Sequence, residues 1–142
     1  MESLPTTVPT RILVIDDEEA ARFGIRKALE KEQYLVELAT NGQEALQKIR
    51  EFSPQVVISD INMPKVNGLE LKRMIEGIPE LKLRAIPFIF TSTSDEPLIV
   101  KEAFSLGIQG YIKKSDNLAE SVSNLDILIR FWSTSVHPNQ YW

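Results

Sequence analysis

Cysteine is absent from all 142 residues, which excludes disulfides and thiolate metal sites. There is no surplus of positive charge either. Sixteen Lys and Arg against twenty Asp and Glu give a formal net charge of -4, which argues against nonspecific attraction to nucleic acid or to an anionic membrane, and against direct DNA binding. No apolar run is long enough to span a bilayer, and the start, Met1-Glu2-Ser3-Leu4-Pro5-Thr6-Thr7-Val8-Pro9-Thr10, lacks a basic patch followed by an apolar stretch. A cytoplasmic location is the expectation. Repeats, linkers and low-complexity segments are also missing, leaving the segment through Thr10 as the only stretch expected to be disordered.

What is present is an ordinary globular composition, 43% hydrophobic and 25% charged, at the length of one domain. Apolar runs alternate with amphipathic stretches five times, the pattern of a parallel sheet covered by helices on both faces. The runs Ile12 to Ile15, Tyr34 to Ala39, Val56 to Ser59, Phe88 to Thr91 and Gly110 to Ile112 read as strands. Between them, Ala21, Ile25, Ala28 and Leu29 form one helical stripe, and Ala45, Leu46 and Ile49 a second after the Asn41-Gly42 turn signal. Leu69, Leu71, Met74 and Ile75 mark a third after Gly68, and Leu98, Ile99, Ala103 and Phe104 a fourth after Pro97. A fifth helix runs from about Asp116, a good N-cap, towards Thr134, and Pro79 and Pro87 bracket a longer polar connection. The folded unit is expected over 11–134, flanked by tails at 1–10 and 135–142.

Several apolar runs end in polar groups that share one rim. Arg11-Ile12-Leu13-Val14-Ile15 ends in Asp16-Asp17, and Val56-Val57-Ile58-Ser59 ends in Asp60. Parallel sheets gather ligands outside the carboxyl ends of their strands, so three carboxylates there form a cation site. Crowded carboxylates raise one another's pKa and favour a hard, oxygen-seeking ion such as Mg2+. Ser92 and Thr93 follow the fourth run and Lys114 the fifth, adding a hydroxyl and an ammonium to the rim. Such a set can make an aspartate a nucleophile toward a phosphoryl group, with metal and lysine neutralising charge and the hydroxyl bonding the product. Taken singly, each residue has a structural reading. Asp16 or Asp17 can cap a helix, Asp60 can open a turn, Ser92 can close a strand, and Lys114 can be ordinary surface charge.

Together these residues resemble the receiver domains of two-component response regulators, from about Arg11 to Trp132. The resemblance rests on Val14-Ile15-Asp16-Asp17, Asp60-Ile61-Asn62-Met63-Pro64 with Gly68, Ser92-Thr93, and Gly110-Tyr111-Ile112-Lys113-Lys114. It implies a flavodoxin-like (βα)5 sandwich with strand order 2-1-3-4-5. It also implies that Asp60 is the phosphoacceptor, that Asp16, Asp17, Asp60 and the backbone carbonyl of Asn62 hold Mg2+, and that Lys114 pairs with the phosphoryl group. Ser92 is then the switch hydroxyl and Tyr111 the aromatic that follows it. Thr91 also carries a hydroxyl and is the fallback, but strand alternation turns it away from Phe90 and Ser92, and the interval from Ser92 to Lys114 matches the family's spacing.

Two positions depart from the family pattern. Thr93 stands where a small residue is usual, so its bulk is expected to narrow access and slow turnover. Ser115 replaces the usual proline after the lysine, and because a non-proline cis bond costs about 3 to 4 kcal/mol, the Lys114–Ser115 bond is expected to be trans.

The resemblance implies a sensor histidine kinase or a histidine phosphotransfer protein upstream, and a signalling domain rather than an enzyme, limited to self-phosphorylation and autodephosphorylation. With the chain ending soon after the fifth helix, a stand-alone regulator acting by protein contact is expected. His137, in Val136-His137-Pro138-Asn139, reads as a solvated surface residue. Two other readings remain. One is a degenerate receiver binding partners without phosphorylation. The other is a haloacid-dehalogenase-type phosphatase, which would want an aspartate where Asn62 stands. In the last helix, Leu118, Val122, Leu125, Ile129 and Trp132 suffice to seat it on the sheet. Ile127, Leu128 and Phe131 widen the stripe, and with Tyr141 and Trp142 they point to homodimerisation through that helix.

Overall fold

A computed structural model describes residues 10–136. The expectations for the amino-terminal segment up to Pro9, and for His137, Tyr141 and Trp142, lie outside the described residues. The elements run β1 (Arg11–Ile15), α1 (Glu19–Lys31), β2 (Leu35–Ala39), α2 (Gly42–Phe52), β3 (Val56–Asp60), α3 (Gly68–Glu76), α4 (Pro79–Lys82), β4 (Phe88–Ser92), α5 (Pro97–Ser105), β5 (Gly110–Lys113) and α6 (Leu118–Thr134). All five strands are parallel, in the order β2-β1-β3-β4-β5. This is the flavodoxin-like order.

The central strands are apolar on both sides because both faces are covered. Leu13, Ile15, Val57, Phe88 and Phe90 join one core with Ala45 and Ile49 of α2 and Leu71 and Ile75 of α3. Ile12, Val14, Ile58 and Ile89 join the other with Ile25 and Leu29 of α1 and Leu125 and Ile129 of α6. Tyr34 secures that second face: its hydroxyl donates to Asp126 Oδ1 of α6 at 3.0 Å. Burial and that carboxylate push the Tyr34 pKa up to about 12.

Four details depart from the sequence expectations. The connection between Pro79 and Pro87 holds a helical turn, α4, because Pro79 suits a first helical position and Leu81 is buried beneath it. The N-cap of α6 is Asn117 rather than Asp116: Asn117 Oδ1 accepts the Glu120 N–H at 3.3 Å, and Asp116 lies outside the helix. Met74, Leu98, Phe104 and Leu118, placed on inward stripes by their spacing, are exposed, with Leu118 lying against Gly24 of α1. Conversely, Leu128 packs on the second core, close over Gly110.

Gly68 lets α3 start against the strand that carries Asp60. A Cβ there would fall 2.5 Å from the Asp60 carbonyl oxygen and 3.0 Å from Phe90 Cε1. Asn67 caps the helix reciprocally with Glu70, each side chain accepting the other's backbone N–H.

Candidate functional site

The carboxyl ends of β1 and β3 lie side by side, with Ile15 in register with Ser59, so Asp16 and Asp60 emerge as neighbours. Asp16, Asp17 and Asp60 each offer a carboxylate oxygen, and all three oxygens lie within 4.8 Å of one another. Asp16 and Asp60 are buried and Asp17 is exposed, so the cluster opens to solvent on the Asp17 side. Close oxygens from three carboxylates fit a hard divalent cation.

Lys114 reaches this cluster from just beyond the end of β5. Its Nζ donates to Asp16 Oδ2 at 2.9 Å and to Asp60 Oδ2 at 3.1 Å. Among the described residues no peptide bond is cis, so the Lys114–Ser115 bond is trans, as expected for a non-proline, and still delivers the amine to both acids. The lysine's pKa is raised. Burial opposes its charge most strongly, but the adjoining carboxylates of Asp16 and Asp60 together outweigh that.

Asp60 is held above the ordinary carboxylate value of 3.8, chiefly by burial and further by the neighbouring Asp16. Lys114 and a hydrogen bond from the Asn62 backbone N–H act in the opposite direction and do not cancel these effects. The consequence for stability has a definite sign. As pH rises, the unfolded chain releases this proton before the folded one, so stability falls through the interval above 3.8 and stays lower beyond the folded value. Asp60→Asn is therefore expected to melt higher than wild type at neutral pH without divalent cations, with the gain vanishing below pH 3.8. Thermal unfolding against pH checks this, and an equal gain at acid pH would contradict it.

Asp16 also has a structural job. Its Oδ1 accepts the Glu18 N–H at 2.9 Å, turning the chain into α1, whose N-cap, Glu18, makes no side-chain cap. Asp16 is thus not the cap of α1: it lies two residues ahead of the N-cap and turns the chain with one oxygen, while its other oxygen accepts from Lys114. Arg22 of α1 donates to the Asp16 carbonyl at 2.7 Å and fixes the same corner. Sequence reasoning passed over Arg22, whose only signal is its position in the first turn of α1 after the acidic pair.

The β4 end supplies hydroxyls. Thr91 is in register with Asp60 and lines a pocket of about 260 Å3 beside Lys114. Ser92 sits one residue further out and is buried. Its Oγ accepts the Ser94 N–H at 3.1 Å, which leaves its own proton available to an oxygen at the rim. Ser94 was not expected to matter, yet its carbonyl accepts the Tyr111 hydroxyl at 2.7 Å. Ser92, Ser94 and Tyr111 are therefore one connected unit. Thr93 is exposed and lines an open cleft of about 670 Å3 with Tyr111, Lys113 and Lys114.

The sequence matches the family model of the response regulator receiver domain over residues 12–126. Response regulator MprA of Mycobacterium sp. (strain KMS) is 31% identical over 132 residues, covering 93% of this chain and 56% of that protein. The chain thus spans about half the length of the curated relatives it matches. Among solved structures, chemotaxis response regulator CheY4 of Vibrio cholerae superposes with a TM-score of 0.75 at 29% identity, covering 87% of this chain and 98% of that one. The phosphorylated cyanobacterial phytochrome response regulator RcpA gives a TM-score of 0.79 at 27% identity, covering 92% and 98%. With its strand order, its acidic rim and a family match across most of its length, this chain belongs to the response regulator receiver domains.

Proposed function

We propose that Asp60 accepts a phosphoryl group from a phosphohistidine and that the phosphorylated domain signals by protein contact. The observation that carries this is Lys114 Nζ, within hydrogen-bond distance of both Asp16 and Asp60 at the mouth of a three-carboxylate cluster. In the transfer, an Asp60 carboxylate oxygen attacks phosphorus, the bond from phosphorus to the imidazole nitrogen breaks, and an acyl phosphate forms. Lys114 places positive charge where the phosphoryl oxygens arrive. Asp16, Asp17, Asp60 and the Asn62 carbonyl would hold Mg2+, which supplies charge neutralisation for the transferring group. Ser92 then donates its proton to a phosphoryl oxygen, and the bonds through Ser94 carry that change to Tyr111.

The donor is a sensor histidine kinase or a histidine phosphotransfer protein. Among the described residues no helix is long and apolar enough to cross a membrane, which is compatible with a cytoplasmic site of action. A lysine between two buried acids would also serve a contact module by neutralising them, so phosphoryl uptake is what separates that reading, and a haloacid-dehalogenase-type phosphatase would need an acid at Asn62. Incubation with Mg2+ and acetyl phosphate, followed by intact mass, tests the reading: one added phosphoryl group supports it, and an unchanged mass defeats it.

The output surface includes α6. Ile127 and Phe131 are 64% and 59% exposed, although each is large and apolar. On α5, Leu98 is 72% exposed. Such residues favour a homodimer through α6. Light scattering is expected to show a dimer, strengthened by beryllofluoride as a phosphoryl mimic, and to show monomers for Ile127→Glu with Phe131→Glu. A wild type that stays monomeric with and without the mimic rules out self-association.

A further inference from the structure

Ser115 brings to the rim a group that a proline in its place would lack, a backbone N–H. That N–H donates to Ser121 Oγ, near the start of α6, at 3.0 Å. The preceding peptide is held from the other side, with the Lys114 N–H donating to the Ser92 carbonyl at 2.7 Å. Two consecutive peptides are thus pinned, one to β4 and the next to α6.

Ser121 is itself well placed to serve as an anchor. Its N–H donates to the Asn117 carbonyl at 3.2 Å, within a first turn that Asn117 caps. Ser115 Oγ in turn accepts the Asn117 N–H at 3.1 Å, so the segment from Lys114 to Ser121 closes on itself. Beside this segment the structure is not filled. The pocket of about 260 Å3 next to Lys114 and Ser115 is lined by Thr91, Ile112, Leu118, Ser121 and Leu125. A peptide released from Ser121 has space to rotate there, and its N–H would lose its partner against a mainly apolar wall.

We infer that Ser121 is a positioning residue for Lys114: its hydroxyl, through the Ser115 N–H, holds the trans Lys114–Ser115 peptide so that Nζ meets Asp16 and Asp60 together. This rests on the reading of Asp60 as phosphoacceptor. A displacement of about 1 Å in a reacting group costs up to about 100-fold in rate, and the flexible lysine stem recovers part of that, so a loss of about tenfold is expected without Ser121.

Phosphorylation rates with acetyl phosphate and Mg2+ test the inference in the whole chain, comparing wild type, Ser121→Ala, Ser121→Thr, Lys114→Met and the double variant Ser121→Ala with Lys114→Met. Ser121→Ala is expected to slow the reaction about tenfold with Mg2+ affinity unchanged, and Ser121→Thr, which keeps a hydroxyl, to recover most of the rate. With Lys114→Met already in place, Ser121→Ala is expected to add nothing, since the two residues act as one unit. A general loss of structure would instead slow both backgrounds alike. Equal slowing in both backgrounds, or a wild-type rate in Ser121→Ala, overturns the inference while leaving the phosphoacceptor reading intact. A wild type that takes up no phosphoryl group overturns that reading itself.

Discussion

Replacing Asp60 with Asn is expected to abolish phosphoryl uptake from acetyl phosphate, whereas wild type in Mg2+ gains one phosphoryl group. Asparagine keeps the shape and a hydrogen-bonding oxygen but loses the anionic nucleophile, and an amide oxygen does not form a stable acyl phosphate at this site. Intact mass spectrometry of the two proteins side by side decides the matter. Equal labelling of Asp60→Asn would move the acceptor elsewhere and undo the assignment. The same variant serves the stability test, since a higher melting temperature shows that loss of labelling does not come from unfolding.

Asp17→Asn and Ser92→Ala are expected to fail in different ways. A hard divalent ion depends on anionic oxygens, and loss of even an outer partner of a metal ligand costs about 10- to 100-fold in affinity, so removing the charge of Asp17 is expected to cost at least that much. Phosphorylation at limiting Mg2+ should slow in proportion. Ser92 contributes no charge, and its oxygen already accepts the Ser94 N–H. Its hydroxyl gains a new acceptor only when a phosphoryl oxygen arrives, so Ser92→Ala should bind Mg2+ as wild type does and lose the conformational response. Calorimetric Mg2+ titration separates the two. A large affinity loss in Ser92→Ala would place that hydroxyl at the cation and contradict the division of roles.

Much of this was legible from local pattern. β1 and β3 were readable as strands because Ile12 to Ile15 and Val56 to Ile58 are unbroken apolar runs, the signature of strands covered on both faces. The acids closing those runs were legible as a site because parallel strands share one carboxyl rim. Elsewhere local pattern is ambiguous. Asp116 and Asn117 are equally good caps, and what separates them is the geometry of the segment after Lys114, where Ser115 Oγ takes the Asn117 N–H. Leu98 and Phe104 have core-like spacing, but spacing gives a face and not the width of the contact that covers it.

From sequence alone the three acids, the lysine and a hydroxyl could be placed on one rim, because each closes a short apolar run of a parallel sheet, while the strand order followed only from the resemblance to receiver domains. What those groups touch is set by packing in three dimensions. That a trans Lys114–Ser115 peptide still brings Nζ to both Asp16 and Asp60 depends on partners far apart in the chain, Ser92 on β4 and Ser121 on α6. The same holds for Arg22 on the Asp16 carbonyl and for Ser94 between Ser92 and Tyr111. A serine or an arginine carries no periodic signal, so its role is set by the partner that packing brings within about 3 Å, and short-range pattern does not encode that distance.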